Sequence, residues 1–220
     1  MRYAVLGTGI VGRTLAARLD SLGHEVVIGT RDPEATRARA DFAEWGAAHP
    51  GVRLARFADA AREGEALVNA TGGLVSITAL TEADAAHLEG KVLLDVANPL
   101  DFSRGFPPGL DPVDSDSLGE LIQRTFPRLR VVKSLNTMNC QVMVDPGRVA
   151  GDHHVFLSGE DADAKKAVRE LLHSFGWPDG SILDLGGIDS ARGTEMLLPV
   201  WLRLMGTLGH TDFNFHIQGA

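Results

Sequence analysis

RYAVLGTGIVG, residues 2–12, is the stretch that decides the fold. Residues 2–6 form a short apolar run typical of a strand, and Gly7, Gly9 and Gly12 follow it in the spacing G-x-G-x-x-G, just before an amphipathic segment at 13–22. A strand, this glycine pattern and a helix in that order are typical of a dinucleotide-binding turn. Gly7 permits the tight turn, Gly9 lets a pyrophosphate approach the backbone, and Gly12 lets the helix pack against the strand. The predicted binding residues are Gly7, Thr8, Gly9, Ile10, Val11 and Gly12.

The end of the second predicted strand indicates which dinucleotide is bound. An NAD enzyme usually carries a carboxylate about 20 residues after the glycines, where it binds the ribose hydroxyls. This chain has Thr30 and Arg31 there, after the strand-like run at 25–29. A hydroxyl and a guanidinium suit the 2′-phosphate of NADP(H), because the planar arginine fork matches phosphate oxygens. An alternative stays open, in which Arg31 is an ordinary solvated side chain and Asp32 binds the ribose.

Composition narrows the class of protein. With 220 residues, 44% of them hydrophobic, the chain can bury one substantial core. The net charge of −8 argues against nucleic acid or an anionic membrane as a partner. One cysteine, Cys140, excludes an internal disulfide and fits a reducing compartment. No apolar run is long enough to span a membrane and the chain enters its first strand directly, so we expect a cytoplasmic protein without a signal peptide.

Strand-like and helix-like segments alternate along the whole chain. After the first strand and helix, strands are predicted at 25–29, 52–56, 65–70, 91–96, 130–135, 153–158 and 181–185, and helices at 33–48, 57–63, 77–88, 118–126, 162–175 and 189–208. Near-continuous apolar strands are typical of a parallel sheet covered on both faces. The alternation therefore predicts a doubly wound α/β Rossmann fold. We expect an NADP-binding domain at 1–150 and a small C-terminal helical and strand extension at 151–220.

Three segments break the regular pattern. Residues 101–117 are rich in proline, glycine and aspartate and are predicted to form a long loop. Pro199 lies within the last predicted helix and should kink or restart it. Residues 212–217 alternate between polar and apolar side chains, which predicts a small edge strand.

Polar loops follow three of the predicted strands. Thr71 and Gly72 follow the fourth strand, Asn98 and Pro99 the fifth, and Asn136 the sixth. Ligands of such sheets bind at the carboxyl ends of the strands, so these loops are predicted to meet at the middle and the nicotinamide end of a dinucleotide. Two ordinary explanations remain for them: Asn-Pro often starts a turn, and Asn136 or Thr137 could simply cap the next helix.

The sequence resembles a known family, the NADPH-dependent reductases of the deazaflavin coenzyme F420. The resemblance covers nearly the whole chain, and the motifs that carry it are Gly7-Thr8-Gly9, Thr30-Arg31, Asn98-Pro99, Lys133-Ser134-Leu135-Asn136-Thr137 and Phe213-Asn214-Phe215. It implies a Rossmann domain that binds NADP, a C-terminal part that helps to form a homodimer, and hydride transfer between the nicotinamide and 8-hydroxy-5-deazaflavin.

The resemblance also implies a role for particular residues. Gly9, Ile10 and Val11 would contact the pyrophosphate, and Thr30 and Arg31 the 2′-phosphate. The residues implied at the reacting rings are Asn98, Asn136, Met138, Cys140 and Gln141.

The sequence departs from the family pattern in two places. Gly72 and Gly73 stand where members carry a bulkier segment, and Asn136 stands where a histidine is typical. Both positions border the electron acceptor in the family, so the acceptor, a deazaflavin (F420) or a flavin such as FMN, stays open.

No catalytic acid or base is predicted. Hydride transfer between two rings depends on positioning and on the exclusion of water, and the cofactors carry the chemistry. Asn98, Asn136, Met138 and Met205 are predicted to contact the acceptor, although Met205 could instead fill a gap in the core. Cys140 is more simply a buried, inert thiol than a reactive one.

No metal site is predicted either. His153 and His154 are adjacent in a predicted strand and would point to opposite faces. His210 and His216 lack the spacing of a zinc site. The chain also lacks the G-x-S-x-G turn of the α/β-hydrolases.

Two other functions compete with the two-ring reductase. One is an NADPH-dependent reductase of a small organic substrate, such as a β-hydroxyacid dehydrogenase or an imine reductase; the former carry a catalytic lysine in a large helical domain, whereas Lys165 and Lys166 here lie on an exposed-looking helix. The other is an NADPH-binding sensor without catalysis. In every case the last helix, apolar nearly all round, is expected to pack against its counterpart in a homodimer.

Overall fold

The computed structural model describes residues 1–112 and 115–219. Within these residues an eight-stranded sheet carries helices on both faces, and the doubly wound α/β fold is confirmed. The strands are β1 (Arg2–Leu6), β2 (Glu25–Thr30), β3 (Val52–Arg56), β4 (Ala66–Asn69), β5 (Val92–Asp95), β6 (Leu100–Asp101), β7 (Gly109–Leu110), β8 (Arg130–Ser134), β9 (Val155–Ser158) and β10 (Ile182–Asp184). The helices are α1 (Ile10–Ser21), α2 (Pro33–Ala38), α3 (Ala40–Ala48), α4 (Phe57–Glu63), α5 (Ser76–Glu82), α6 (Ala85–Leu88), α7 (Leu118–Thr125), α8 (Cys140–Val144), α9 (Ala162–Phe175) and α10 (Ala191–Leu208).

The strand order of the sheet defines where a ligand can bind. The order is β10-β9-β8-β5-β4-β1-β2-β3, so the chain builds outward from β1 to β3 and then returns to place β4 on the other side of β1. Open α/β sheets bind ligands at the carboxyl ends of the strands where the order reverses. That point lies here between β1 and β4.

The sheet is mixed rather than fully parallel. β1 to β5 and β8 run in one direction. β9 pairs with β8 in the antiparallel sense, and β10 pairs with β9 in the parallel sense. The short α8 lies between β8 and β9. Because β9 and β10 extend the same sheet, the residues beyond 150 add to the architecture of the first part, and the division at residue 150 stays a prediction.

Both faces of the sheet are buried. Val5 and Val68 belong to a cluster with residues of α1, α8 and α9, whereas their chain neighbours Leu6 and Leu67 belong to a second cluster with residues of α4, α5 and α7. Successive strand residues point to opposite faces, so a strand covered on both sides must be apolar at nearly every position. This explains the continuous apolar runs in the sequence.

Several predicted elements differ from the structure. The helix predicted at 33–48 is interrupted at Arg39, and the one predicted at 77–88 is divided into α5 and α6. Residues 101–117 are not one uninterrupted loop, because β6 and β7 form a small antiparallel pair with Leu100 opposite Leu110. Strands of two residues are too short to produce a periodic pattern. The part of this prediction that falls on Val113 and Asp114 lies outside the described residues.

Near the C-terminal end the strand predicted at 212–217 is wrong, and so is a restart of the last helix at Pro199; the alternative, a kink there, stays a prediction. α10 is one helix through Pro199 and does not restart there; Leu198 and Trp201, on either side of the proline, are both buried and hold the helix against the protein. Residues 212–217 form no strand. That segment is instead attached to the protein by the backbone of His154. Its backbone N–H donates to the Phe215 carbonyl oxygen (2.9 Å), and its carbonyl oxygen accepts from Asn214 Nδ2 (2.9 Å).

No helix in the described part of the chain is long and apolar enough to cross a membrane.

Candidate active site

The glycine loop lies at the point where the strand order reverses. Gly7 has a φ of +120°, and a Cβ atom there would lie 2.4 Å from the Ala70 carbonyl oxygen at the end of β4. A Cβ atom on Gly12 would lie 2.3 Å from the Gly7 carbonyl oxygen. Around Gly9, by contrast, an added Cβ atom meets nothing within 4 Å. Gly7 and Gly12 are therefore required by packing, while Gly9 leaves the backbone before α1 open to an anionic group.

Thr30, at the end of β2, has its hydroxyl engaged within the protein. The Thr36 hydroxyl donates to the Asp32 carbonyl oxygen (2.8 Å), so Thr30 Oγ1 is the donor in its 2.9 Å contact with Thr36 Oγ1. Thr30 is also buried. Its hydroxyl can thus accept a further hydrogen bond, but its proton is already used.

Arg31 is the exposed cation at this position. Its side chain is 73% exposed, and its nearest carboxylate, that of Glu82, lies 3.8 Å away. Asp32 is the N-cap of α2, where one carboxylate oxygen accepts from the backbone N–H groups of Glu34 (2.9 Å) and Ala35 (3.0 Å). This capping role explains the position of Asp32 without a ribose.

Arg39 is a second cation at the site, and sequence reasoning missed it. It lies at the break between α2 and α3, where Nη1 donates to Thr8 Oγ1 (3.0 Å) in the glycine loop. Its other nitrogens bond Asp41 and hold the pKa of that carboxyl below its ordinary value. The sequence analysis predicted one continuous helix at 33–48, and the break between α2 and α3, which places Arg39 beside the glycine loop, was not foreseen. We call residues 30–32 together with Arg39 the Arg31 end of the site.

A crevice of about 390 Å³ opens at the carboxyl ends of β4, β5 and β8. It is lined by residues 70–75 and 96–98 with Val11, Leu100, Phe102, Asn136, Met138, Met143 and Leu198. None of these lining residues is ionisable. Six of the predicted site residues, namely Val11, Thr71, Gly72, Asn98, Asn136 and Met138, are thus brought together in one place.

The two asparagines of the crevice bond each other. Asn98 Nδ2 donates to the Asn136 carbonyl oxygen (2.8 Å), and Asn136 Nδ2 donates to Asn98 Oδ1 (3.0 Å). The pair ties the loop after β5 to the loop after β8. Helix capping in the second loop is performed by Asn139, which accepts from the Gln141 N–H, and not by Asn136.

Gly73 has a structural reason for being a glycine. A Cβ atom there would lie 2.2 Å from the Asn98 carbonyl oxygen, so the loop after β4 can touch the loop after β5 only with glycine at this position. Gly72 has no such restriction, since its nearest neighbour would be a Val75 methyl at 3.8 Å. Leu135 also departs from ordinary backbone geometry, with a φ of +63° just before Asn136.

A buried ion cluster lies beneath the crevice. Lys133 Nζ lies 2.9 Å from Asp95 Oδ2 and 2.7 Å from Glu195 Oε1, and the exposed fraction of each of these side chains is 3% or less. Burial by itself lowers the pKa of Lys133, but the two carboxylates outweigh that effect and raise the pKa above its ordinary value. Lys133 also donates to the Ala97 carbonyl oxygen, whose residue lines the crevice. Asp95, Lys133 and Glu195 are called the ion cluster below.

Other predicted residues lie outside the lining of the crevice. Cys140 is buried and its sulfur accepts from Thr14 Oγ1 (3.6 Å) in α1. Gln141 lines a separate groove beside α1. Met205 is half-buried and is absent from the crevice lining, where α10 contributes Leu198 instead.

The histidines form structural contacts. β9 begins at Val155, so His153 and His154 precede the strand in which they were predicted. His153 is buried against the Pro146 carbonyl oxygen (3.0 Å), and His154 stacks on His216. Within residues 1–112 and 115–219, no group of three or more His, Cys, Asp or Glu side chains is placed to hold a metal ion.

The fold and the glycine loop together define a Rossmann-like α/β protein, and comparison with known proteins specifies the family. Residues 2–99 match the family model for NADP oxidoreductases that depend on coenzyme F420. The F420-dependent NADP reductase of Methanothermobacter marburgensis is 30% identical over 213 residues, which cover 93% of this chain and 92% of that protein. A crystal structure of an Arthrobacter protein described as a putative F420-dependent NADP reductase is 62% identical, with a TM-score of 0.96 and complete coverage of both chains.

A longer relative shares the same region. Rat metalloreductase STEAP3 is 30% identical over 210 residues, which cover 91% of this chain but only 38% of the rat protein.

The chain belongs to the family of coenzyme F420-dependent NADP oxidoreductases, and it is an NADP-dependent oxidoreductase.

Proposed function

We propose that the protein transfers a hydride between NADPH and a deazaflavin of the coenzyme F420 type. One observation carries this proposal: among the described residues, the crevice at the switch point is lined by apolar side chains, two amides and the Thr71 hydroxyl, and by no ionisable group. Hydride transfer between two ring systems needs alignment and a dry site, whereas reduction of a carbonyl or imine needs a proton donor as well. The printed descriptions of the reductases that this chain resembles support the same acceptor.

The residues present fit NADPH along the whole site. Gly9 leaves the backbone at the start of α1 open for the pyrophosphate, and the largely exposed Arg31, held only by a long 3.8 Å contact with Glu82, can turn toward the 2′-phosphate. Bound NADPH supplies the hydride. Asn98 and Asn136 hold each other in place at the crevice, while Met138 and Val11 provide apolar walls for a ring.

An anaerobic assay with purified protein tests the acceptor. NADPH is offered with F420, with FMN or with a ferric chelate, and oxidation of NADPH is followed together with reduction of the acceptor. We expect turnover with F420 to exceed turnover with the other two acceptors at least tenfold. Turnover confined to FMN or iron would replace the deazaflavin by the second candidate acceptor, which the similarity to a metalloreductase supports. Tight NADPH binding without turnover would indicate a sensor.

We further propose that two copies of the chain associate through α10. Met196, Val200 and Leu208 are 41%, 49% and 49% exposed, although they are apolar. Leu74 and Phe102, on the rim of the crevice, are also exposed and apolar. Light scattering at micromolar concentration should give twice the chain mass of 23.5 kDa. A stable monomer would exclude this association, and the Val200→Glu variant should become monomeric if α10 is the contact.

A further inference from the structure

The ion cluster satisfies every hydrogen of its lysine. Lys133 Nζ donates to Asp95, to Glu195 and to the Ala97 carbonyl oxygen, which uses all three of its hydrogens. Glu195, from α10, also accepts from the backbone N–H groups of Leu118 (2.9 Å) and Gly119 (3.1 Å) at the start of α7. The cluster therefore joins α10, α7, β5 and β8 through bonds that can run in one direction only.

The hydrogen-bond network continues from Asp95 to Asn69, and there too the donor and the acceptor are fixed. Because Lys133 can only donate, Asp95 accepts through Oδ2, and its Oδ1 accepts from Asn69 Nδ2 (2.8 Å). The carboxylate thereby decides which way the Asn69 amide is turned, with the nitrogen toward Asp95 and the oxygen toward the loop after β4. Asn69 is fully buried, so no water competes for either atom.

Asn69 in turn fixes Thr71. Its Oδ1 accepts from Thr71 Oγ1 (2.7 Å) and lies 3.3 Å from the Thr71 backbone nitrogen. Ser76 accepts from Asn69 Nδ2 (3.0 Å), and since the Thr71 proton is already used, the Ser76 proton goes to Thr71 Oγ1 (2.8 Å) or to the Gly72 carbonyl oxygen (3.4 Å). A continuous chain of hydrogen bonds thus extends from the lysine to the wall of the crevice.

We propose that the ion cluster is a positioning device for the crevice: through Asn69 it holds the Thr71 loop in the one conformation that aligns the nicotinamide. The proposal rests on the proposed use of this crevice for NADPH. A buried ion cluster contributes little net stability compared with apolar residues of the same volume. Apolar residues, however, could not set the direction of the Asn69 amide.

Hydrogen exchange measures the position of the loop without any acceptor. We expect Glu195→Gln, which weakens the cluster at its far end, to raise amide exchange in the peptide covering residues 70–76 at least threefold. Thr194→Val is the matched control, because Thr194 is the buried neighbour of Glu195 and its side chain bonds, among the described residues, only the Ala191 carbonyl oxygen of its own helix (3.1 Å). Unchanged exchange in Glu195→Gln, or an equal rise in Thr194→Val, would overturn the proposal even if the protein reduced no deazaflavin.

Rates then connect the loop to hydride transfer. Asn69→Leu should lower kcat at least tenfold and change the Kd for NADPH less than threefold, because the phosphates are held elsewhere. If Glu195 acts through Asn69, the double variant should be no slower than Asn69→Leu alone. Additive losses, or a rate loss that merely follows the change in Tm across these variants and the controls Thr194→Val and Ser134→Ala, would show a structural role only. Ser134 suits this purpose because it is the buried neighbour of Lys133 and donates to Phe156 instead (2.6 Å).

Discussion

The two ends of the site differ in whether their polar groups are exposed to solvent or bonded to one another. At the Arg31 end, cations stand in solvent: the side chain of Arg31 is 73% exposed and that of Arg39 is 44% exposed. In the crevice, the polar groups are already bonded to one another, as Asn98 is to Asn136 and Thr71 is to Asn69. Exposed charges can turn to meet a phosphate and so supply affinity, whereas a prearranged crevice spends no free energy on reorganisation during the reaction. We therefore expect changes at the Arg31 end to alter binding and changes in the crevice to alter rate.

The largest effect is expected from blocking the crevice. Asn98→Trp places an indole in a space of about 390 Å³ and should lower turnover at least 100-fold. The Kd for NADPH should change less than threefold, since the glycine loop and Arg31 are untouched. Steady-state kinetics and calorimetric titration measure the two quantities.

Asn98→Ser is the control for this variant. It removes the bond to Asn136 without filling the crevice, so it separates occlusion from the loss of the amide pair. Full activity of Asn98→Trp would mean that the acceptor binds somewhere else and that the comparison between the two ends is wrong.

A smaller effect, confined to binding, is expected at Arg31. The wild-type protein should bind NADPH at least tenfold more tightly than NADH, and Arg31→Ala should remove that preference, a loss of about 1.4 kcal/mol. The reason is the loss of the exposed guanidinium that is free to bond the 2′-phosphate. Calorimetric titration of both nucleotides tests the expectation.

Arg37→Ala is a matched control because it removes the same charge from α2, where Arg37 is exposed and bonds the Leu54 carbonyl oxygen. Equal loss of NADPH affinity in both variants would indicate a general effect of net charge. Unchanged affinity in Arg31→Ala would contradict the phosphate assignment.

The glycine turn could be predicted from the sequence, whereas the residues that support the crevice could not. The glycine turn and the strand ends depend on neighbouring residues, so the bounds of β1 and β3 are as predicted and those of β4 and β5 differ by one residue at each end. The ion cluster depends on Asp95, Lys133 and Glu195, which are far apart in the chain, and no local pattern marks them. That Leu198 lines the crevice and Met205 does not was hidden for a similar reason, because the face that α10 turns toward the crevice is decided by tertiary packing; the contact of Met205 with the acceptor stays a prediction.

The smallest effect concerns how α10 is held to α7 beneath the crevice. Besides the buried bonds of Glu195, a second and more exposed link joins the two helices, in which Arg192 bonds the Glu120 carboxylate through two nitrogens. The Arg192 guanidinium lowers the pKa of Glu120 below its ordinary value. A carboxyl with a lowered pKa in the folded state adds stability above its unfolded pKa and loses it as the pH falls through the folded pKa.

Arg192→Gln should therefore lower the free energy of unfolding at neutral pH, but only by a small amount because solvent screens this partly exposed ion pair. The difference from the wild type should shrink as the pH falls below about 4.3, where the unfolded carboxyl becomes protonated. Urea unfolding across this pH range measures it, with Arg203→Gln, on the same helix and without an ion pair among the described residues, as the control. A difference that persists in acid would assign the effect to packing of the arginine stem. Turnover at neutral pH should fall less than twofold in Arg192→Gln, since Glu195 still holds α10 to α7; a larger fall would make the outer link part of the positioning of the crevice.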